Sequence, residues 1–199
     1  MKRGSFLLSL FFLPLLGCGS THSPIPLASG PQAEPLSSTV LAGHGRAWLF
    51  TKGAWVEAPA YDYDFLVLER RYEGRWDAVK EIHRRDPRYD GRAGPRDQTV
   101  FFAVQTSPAA GGGQDLVVQS TLGSGTGHVD AGGDGFVVEM AAAQKGMFVP
   151  FDTVRIRQRS SREGRLEETV ELYSKKDGVE RPFMRMEEQG LVYRPVAGK

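Results

Sequence analysis

Three polar residues near the C-terminus, Gln158, Glu168 and Arg185, are predicted to converge on an otherwise apolar sheet face. A carboxylate that is taken out of water needs a partner, because an unpaired buried charge costs several kcal/mol. Two interpretations follow. The three residues form a structural ion pair at one end of a barrel, or they anchor a ligand, since ligand pockets are mostly apolar with a few placed polar groups.

The two strands that would position Gln158 and Glu168 have a pattern from which their pairing can be predicted. We expect Arg162-Glu163-Gly164 to form a three-residue hairpin loop with Gly164 in the left-handed conformation. Gln158 then lies opposite Glu168. The register also gives two apolar pairs on one face and two opposite-charge pairs on the other, namely Val154 with Leu172, Ile156 with Val170, Arg155 with Glu171 and Arg159 with Glu167. A slip of one residue would mix the two faces.

A turn at Asp177-Gly178 connects this hairpin to the next strand. With a two-residue or four-residue loop there, Phe183 and Arg185 share the face of Glu168. This step is what adds Arg185 to the predicted polar group.

A second group of polar residues forms the loop from His83 to Asp97, which holds five arginines and three aspartates between prolines and glycines. The arginines are Arg84, Arg85, Arg88, Arg92 and Arg96. Guanidinium groups match the geometry of carboxylates and phosphates, so the loop is a candidate surface for an anionic ligand, a lipid headgroup or a protein partner. The alternative is an arginine–aspartate network that satisfies itself and orders the loop.

Other patterns do not indicate catalysis. The glycines at 111–113 and 123–127 lack the lysine of a phosphate loop and the spacing of a dinucleotide fingerprint, and we interpret both as flexible hairpin tips. His44, His83 and His128 share no ligand spacing, so no metal site is predicted. Without a nucleophile–base motif or a cofactor loop, we expect neither an enzyme nor a bound cofactor.

The single cysteine, Cys18, ends an apolar run of eleven residues that follows Lys2 and Arg3. A membrane-spanning helix needs roughly 20 apolar residues, so the run is more typical of a cleaved signal peptide, residues 1–17. Leu15-Leu16-Gly17-Cys18 resembles the lipobox of bacterial lipoproteins. The resemblance implies cleavage before Cys18, diacylglycerol on its thiol and acylation of the new N-terminus, for example by palmitate. The alternative is an ordinary secretory signal with a chance cysteine.

The resemblance also implies a place in the cell. In Gram-negative lipoproteins an Asp after the lipidated cysteine favours the inner membrane, so Gly19 indicates an outer-membrane anchor facing the periplasm. The leader carries two of the 25 basic residues, which leaves 23 against 24 acidic residues. The mature chain therefore has no basic field that would attract nucleic acid, and its predicted partners are the membrane, through Cys18, and a hydrophobic ligand or an envelope protein.

Residues 18–38 contain four prolines among small residues and are predicted to form an extended tether. Residues 39–199 show short apolar runs between turn signals, which predicts one all-β domain. The expected strands are Ala47–Thr51, Asp64–Tyr72, Arg75–Ile82, Thr99–Thr106, Leu116–Leu122, Phe136–Ala142, Met147–Ser160, Leu166–Ser174, Val179–Glu187 and Leu191–Arg194. The run from Arg75 fits a helix through the spacing of Trp76, Val79 and Ile82, but it also fits a strand with Trp76, Ala78 and Ile82 on one face. Glu73-Gly74 favours a hairpin and hence a strand.

The predicted fold is an antiparallel up-and-down β-barrel of about eight to ten strands, loosely similar to lipocalins and calycins, with a β-sandwich as the alternative. The first functional hypothesis is a barrel that binds or carries a small hydrophobic ligand. Its interior would be lined by residues such as Phe65, Val67, Phe101, Val154, Ile156, Val170 and Phe183. The alternative is a structural or interaction module with a filled core. Interior volume separates the two, because ligand pockets measure about 300–1,000 Å³.

Overall fold

The computed structural model of the chain describes residues 34–143, 151–161 and 164–193. Cys18, the predicted signal peptide and nearly all of the predicted tether lie outside these ranges, as do Arg162, Glu163, the start of the strand predicted from Met147 and Arg194, the predicted end of the last strand. The statements that follow concern the described residues.

Eleven strands and one short 3-10 turn, Pro59–Tyr61, account for the regular structure. The strands are β1 (Ser37–Thr51), β2 (Ala54–Glu57), β3 (Tyr63–Tyr72), β4 (Arg75–His83), β5 (Asp97–Pro108), β6 (Gln114–Ser120), β7 (Gly123–Val129), β8 (Gly135–Ala142), β9 (Thr153–Ser160), β10 (Arg165–Lys176) and β11 (Val179–Tyr193). The ambiguous run from Arg75 is a strand, and it follows a turn in which Gly74 has φ +65°.

The sheet closes into an antiparallel up-and-down barrel of ten strands, as the alternating pattern predicts. Strands β3 to β11 pair in chain order, and β1 closes the barrel between β3 and β11. The last residues of β1 also pair with β2, which stands outside the closed wall as a short hairpin partner. Among the described residues, closure pairs each wall strand on both sides, and side chains alternate between the interior and the outer surface except where a bulge interrupts the pairing.

The β9–β10 hairpin has the predicted register. Gln158 lies opposite Glu168, and Gly164 has φ +77°. The four other expected pairs also form, namely Val154 with Leu172, Ile156 with Val170, Arg155 with Glu171 and Arg159 with Glu167. Two faces of opposite character therefore identified the register correctly, because only one alignment separates them.

The β10–β11 hairpin differs from its predicted register by one residue. Asp177 and Gly178 form the expected two-residue turn, with φ values of +53° and +79°. The pairing then shifts between Leu172 and Tyr173, because Phe183 is an extra residue in a β-bulge. Pro182 lies beside the bulge, and proline, which donates no backbone hydrogen bond, occurs in sheets mainly at edges and bulges.

Strand β7 was missed because its glycines resemble a flexible loop. Gly123, Gly125 and Gly127 instead lie in the wall and face inward, opposite Ala142, Met140 and Val138 of β8. A side chain at Gly125 would collide with the backbone of Glu139, so this wall position has no room for a larger residue. The other glycine cluster, at 111–113, does lie in the β5–β6 turn, as expected.

The core fills the barrel with side chains from every strand of the wall. The largest fully buried side chains are Val100, Val104, Leu116, Met140, Val154 and Met184. Four polar residues near the centre of this interior are linked by hydrogen bonds, and they define the candidate site.

Candidate functional site

The four polar residues at the centre of the barrel are Tyr63 on β3, Lys80 on β4, Glu168 on β10 and Glu188 on β11. Each faces inward because each shares the parity of buried neighbours on its strand. Their side chains are nearly inaccessible: Lys80 is 8% and Glu188 2% exposed. The side chain of Glu168 is 10% exposed.

Lys80 lies between the two carboxyl groups. Its Nζ is 3.0 Å from Oε1 of Glu168 and 2.5 and 2.6 Å from the two oxygens of Glu188. Tyr63 donates its hydroxyl hydrogen to Oε1 of Glu188. The Lys80 ammonium also lies 5.0 Å from the centre of the Phe65 ring. These bonds offset the loss of water that burial imposes on the three charged groups.

Burial and mutual charge shift the acidity of the cluster. Burial raises the pKa of Glu168 to about 7; Lys80 opposes this increase and Glu188 adds to it. The two carboxylates hold the pKa of Lys80 above its usual value in spite of burial. Burial and the Glu188 charge raise the pKa of Tyr63 well above 10. At neutral pH Lys80 is therefore charged, Tyr63 is a neutral donor, and Glu168 is divided between its two protonation states.

A cavity of about 60 Å³ lies next to Glu168. Apolar side chains form most of its wall, and Glu69, Lys80, Gln158, Glu168 and Glu188 supply its polar atoms. A volume of about 10–15 Å³ holds one water molecule. The cavity therefore has room for about four waters and lies far below the roughly 300–1,000 Å³ of a drug-sized ligand site.

One end of the barrel carries a second, larger depression, and we call this the mouth end. It lies beside the turns at 109–113 and 130–134, and its rim cleft measures about 480 Å³. Trp76, Phe136 and Gln158 line both the rim cleft and the inner cavity. The rings of Trp76 and Phe136 are 6.1 Å apart, and both side chains border the inner cavity and the rim cleft.

The opposite end, which we call the plugged end, is closed by the β4–β5 loop. Arg84 is only 3% exposed and donates to the carbonyl oxygens of Pro95, at 2.8 Å, and Ala93, at 3.1 Å. Its guanidinium carbon lies 5.6 Å from the ring centre of Tyr63 and 5.1 Å from that of Tyr89. Burial lowers the pKa of Arg84, which has aromatic rings and carbonyl groups around it rather than a carboxylate.

The β4–β5 loop, which the sequence predicted as a partner surface, is therefore internally bonded. Arg84 was predicted to lie on its surface, but it is buried. Three other arginines form ion pairs, Arg85 with Asp64, Arg88 with Asp86 and Arg92 with Asp90. Arg96 donates to the carbonyl oxygens of Arg84 and Asp86. This is the self-satisfying network that the sequence left as an alternative, although Arg85, Arg88 and Arg92 still expose most of their side chains.

The structure brings together two of the three predicted interior residues. Gln158 and Glu168 both line the cavity. The predicted position of Arg185 is wrong, because the Phe183 bulge turns it to the outer surface opposite Glu171, where it pairs with Glu187. Phe101, expected inside, is 47% exposed, and Phe102 lines the cavity in its place.

The sequence analysis missed Tyr63, Lys80 and Glu188, three of the four residues in the cluster. The signal for Lys80 was present, since residues 76, 78 and 82 were recognised as one face of a strand and Lys80 has the same parity. The signal for Glu188 depended on the bulge, because its inward direction follows only after the one-residue shift.

The outer surface of the barrel carries an apolar row that crosses five adjacent strands. The row consists of Tyr193 on β11, Val40 on β1, Leu68 on β3, Val79 on β4 and Phe101 on β5, each paired with the next. Tyr193 is 56% exposed and Phe101 47%. Contiguous exposed apolar surface of this kind is typical of interaction sites.

The described residues contain no group of three or more His, Cys, Asp or Glu side chains placed to hold a metal ion. His44, His83 and His128 each contact one aspartate on a neighbouring strand. The described part of the chain also has no helix with the length and hydropathy needed to cross a bilayer.

A scan against protein-family models finds no match, and a search of curated proteins finds none either.

Proposed function

We propose that the protein is a lipid-anchored envelope lipoprotein that acts as an interaction module, with a filled barrel whose outer surface binds a protein partner. The small interior carries this proposal. A cavity of about 60 Å³ cannot enclose a lipid or a drug-sized molecule. The lipid anchor rests on the lipobox resemblance of Leu15-Leu16-Gly17-Cys18.

The apolar row is the surface that best suits such a partner. Arg70 and Asp77 lie beside it toward the mouth end, and Glu81 lies beside it on the other side. A bilayer would have to remove these charged groups from water, whereas a protein surface can offer them opposite charges. We therefore assign the row to an envelope protein with an apolar strip between polar groups.

Site-specific photo-crosslinking in cells that produce the protein tests the assignment. A photoreactive side chain at Leu68 or Phe101 is expected to give a discrete protein adduct. The matched control is Val137 on β8, which is 48% exposed but lies outside the row. Lipid adducts alone at Leu68 and Phe101, or equal adducts at all three sites, would contradict a protein partner on this surface.

The anchor has its own test. The wild-type chain is expected to gain the mass of diacylglycerol and an acyl group on a fragment that begins at Cys18. Cys18→Ser should abolish both additions and release the protein from the membrane fraction. An unmodified cysteine in a membrane-free wild-type protein would refute the anchor and leave the partner test unaffected.

A carrier function is the second candidate, because Glu168 faces a cavity that shares Trp76, Phe136 and Gln158 with the rim cleft. Movement of these side chains would enlarge the interior. Mass spectrometry of small molecules bound to a Cys18→Ser chain that begins at residue 18 tests it. A stoichiometric lipid that is lost in Glu168→Leu would favour the carrier, whereas a folded protein without bound molecules would favour the interaction module.

A further inference from the structure

The central cluster has an excess of negative charge on the side that faces the cavity. Lys80 directs its ammonium group at Glu168 and at both oxygens of Glu188. An ammonium group has three hydrogens, so these contacts use its donor capacity. Tyr63 adds a neutral donor to Glu188. With both carboxyl groups ionised, two negative charges therefore share one positive charge.

Other polar groups around the cavity do not balance this charge. Glu69 lines the cavity but accepts a hydrogen bond from Arg71 at 2.6 Å. Gln158, opposite Glu168, is neutral. Arg84 lies against the ring of Tyr63 at the plugged end. Within the described ranges, Lys80 donates a hydrogen bond to the Glu168 carboxyl group, and a hydrogen bond between Glu168 and Glu188 requires that one of the two carries a proton.

We propose that the barrel interior is a binding site for a small primary ammonium group, which Glu168 and Gln158 receive from the cavity side. A cation placed there neutralises the surplus carboxylate and gives it the donors that it lacks. This site is independent of the partner surface assigned to the apolar row.

The cavity restricts which ammonium compounds fit. Room for about four waters corresponds to a head group of a few non-hydrogen atoms. The rings of Phe65, Trp76, Phe102 and Phe136 form part of the wall. Aromatic faces attract cations and also cover short alkyl chains. The ligand class is therefore a short primary alkylammonium ion, which enters past Trp76 and Phe136.

Calorimetric titration of the Cys18→Ser chain with methylammonium and propylammonium chloride tests the site, with sodium chloride as the blank. We expect saturable binding at about pH 8.5, where Glu168 is ionised and the amine is still protonated. The affinity should decrease about tenfold per pH unit once the pH falls well below the pKa of Glu168.

Glu168→Gln keeps the shape of the side chain and removes its charge, so it should weaken binding at least tenfold. The matched control is Glu167→Gln, which alters the neighbouring outward residue and should leave binding unchanged. If Glu168→Gln does not fold, the pH dependence of the wild type decides. No saturable binding at millimolar amine, an affinity independent of pH, or equal affinity in Glu168→Gln would overturn the proposal.

Discussion

Two buried cations in the same segment of the chain are held in opposite ways. Lys80 and Arg84 are four residues apart and both point into the barrel, at 8% and 3% exposure. Lys80 contacts two carboxyl groups, and its pKa is raised. Arg84 contacts carbonyl oxygens and aromatic rings, and its pKa is lowered.

The difference follows from the chemistry of the two side chains. A guanidinium group is planar, weakly hydrated and able to bond several carbonyl oxygens while it stacks on rings. An ammonium group is a compact and strongly hydrated charge, so its burial requires full charge compensation. Arg84 therefore connects a loop to the plugged end, whereas Lys80 requires Glu168 and Glu188 and thereby creates a cluster that responds to pH.

The largest change in stability is expected when the charge of Lys80 is removed. Lys80→Met leaves Glu168 and Glu188 buried without their cation, which should lower the free energy of unfolding by about 3–5 kcal/mol at neutral pH. Urea denaturation measures it. The deficit should shrink as the pH falls, because protonation of Glu168 removes its buried charge.

The exposed Lys176→Met is the matched control and should change stability by less than about 0.5 kcal/mol. If Lys80→Met were as stable as this control, the cluster would not be a compensated charge site.

The pH dependence of the wild-type protein sharpens the comparison. The pKa of Glu168 is raised from 4.5 to about 7 in the folded state, so between these values the folded chain binds more protons than the unfolded chain. The contribution of Glu168 to the free energy of unfolding is therefore fully present below about pH 4.5. It is lost as the pH rises toward 7, which lowers the free energy of unfolding by up to about 3 kcal/mol. Glu168→Gln should remove this decline.

Thermal unfolding across that pH window measures the stability of the wild type and of Glu168→Gln. Glu167→Gln is the control, and its stability should change with pH as that of the wild type does. A Glu168→Gln protein with an unchanged slope would show that another group causes the decline.

Arg84→Met tests the other cation. The substitution removes two hydrogen bonds to carbonyl oxygens and two aromatic contacts, which should cost about 2 kcal/mol with no dependence on pH between about 5 and 8. Hydrogen exchange should show faster exchange at loop amides such as those of Tyr89 and Gly94, which bond within the loop.

Arg88→Met is the control for this loop, because Arg88 is exposed and, among the described residues, its side chain pairs with Asp86 alone. Its effect on stability should be much smaller than that of Arg84→Met. Equal exchange in the two variants would contradict the assigned role of Arg84.

The same strand shows how far sequence reasoning reaches. Trp76, Ala78 and Ile82 were recognised as one face, and this parity places Lys80 and Arg84 inside the barrel as well. Charged residues are rarely buried without a partner, so neither was assigned to the interior. Parity was more informative here than residue type, because the carboxyl partners of Lys80 come from distant parts of the chain, whereas most partners of Arg84 lie in its own loop.

The hairpins show the complementary limit. The β9–β10 register was predictable because two faces of different character allow a single alignment. The β10–β11 register was not, because one extra residue at Phe183 reverses the direction of every later side chain. Arg185 was therefore placed inside and Glu188 was overlooked, although Pro182 marked the position where pairing was vulnerable.

The smallest expected effect compares two tyrosines that donate to carboxyl groups at the two sites. Tyr63 donates to the buried Glu188, and Tyr61 donates to Asp90 of the β4–β5 loop at 2.7 Å. Tyr63→Phe leaves a buried carboxylate with one donor fewer and should lower the free energy of unfolding by about 1–2 kcal/mol. Water can replace the lost donor at the more exposed Asp90, so Tyr61→Phe should lower it by about 0.5 kcal/mol. Urea denaturation of the two variants measures the difference. Equal losses of stability would mean that the central cluster is as accessible to water as the β4–β5 loop. The contrast between the two sites would then be wrong.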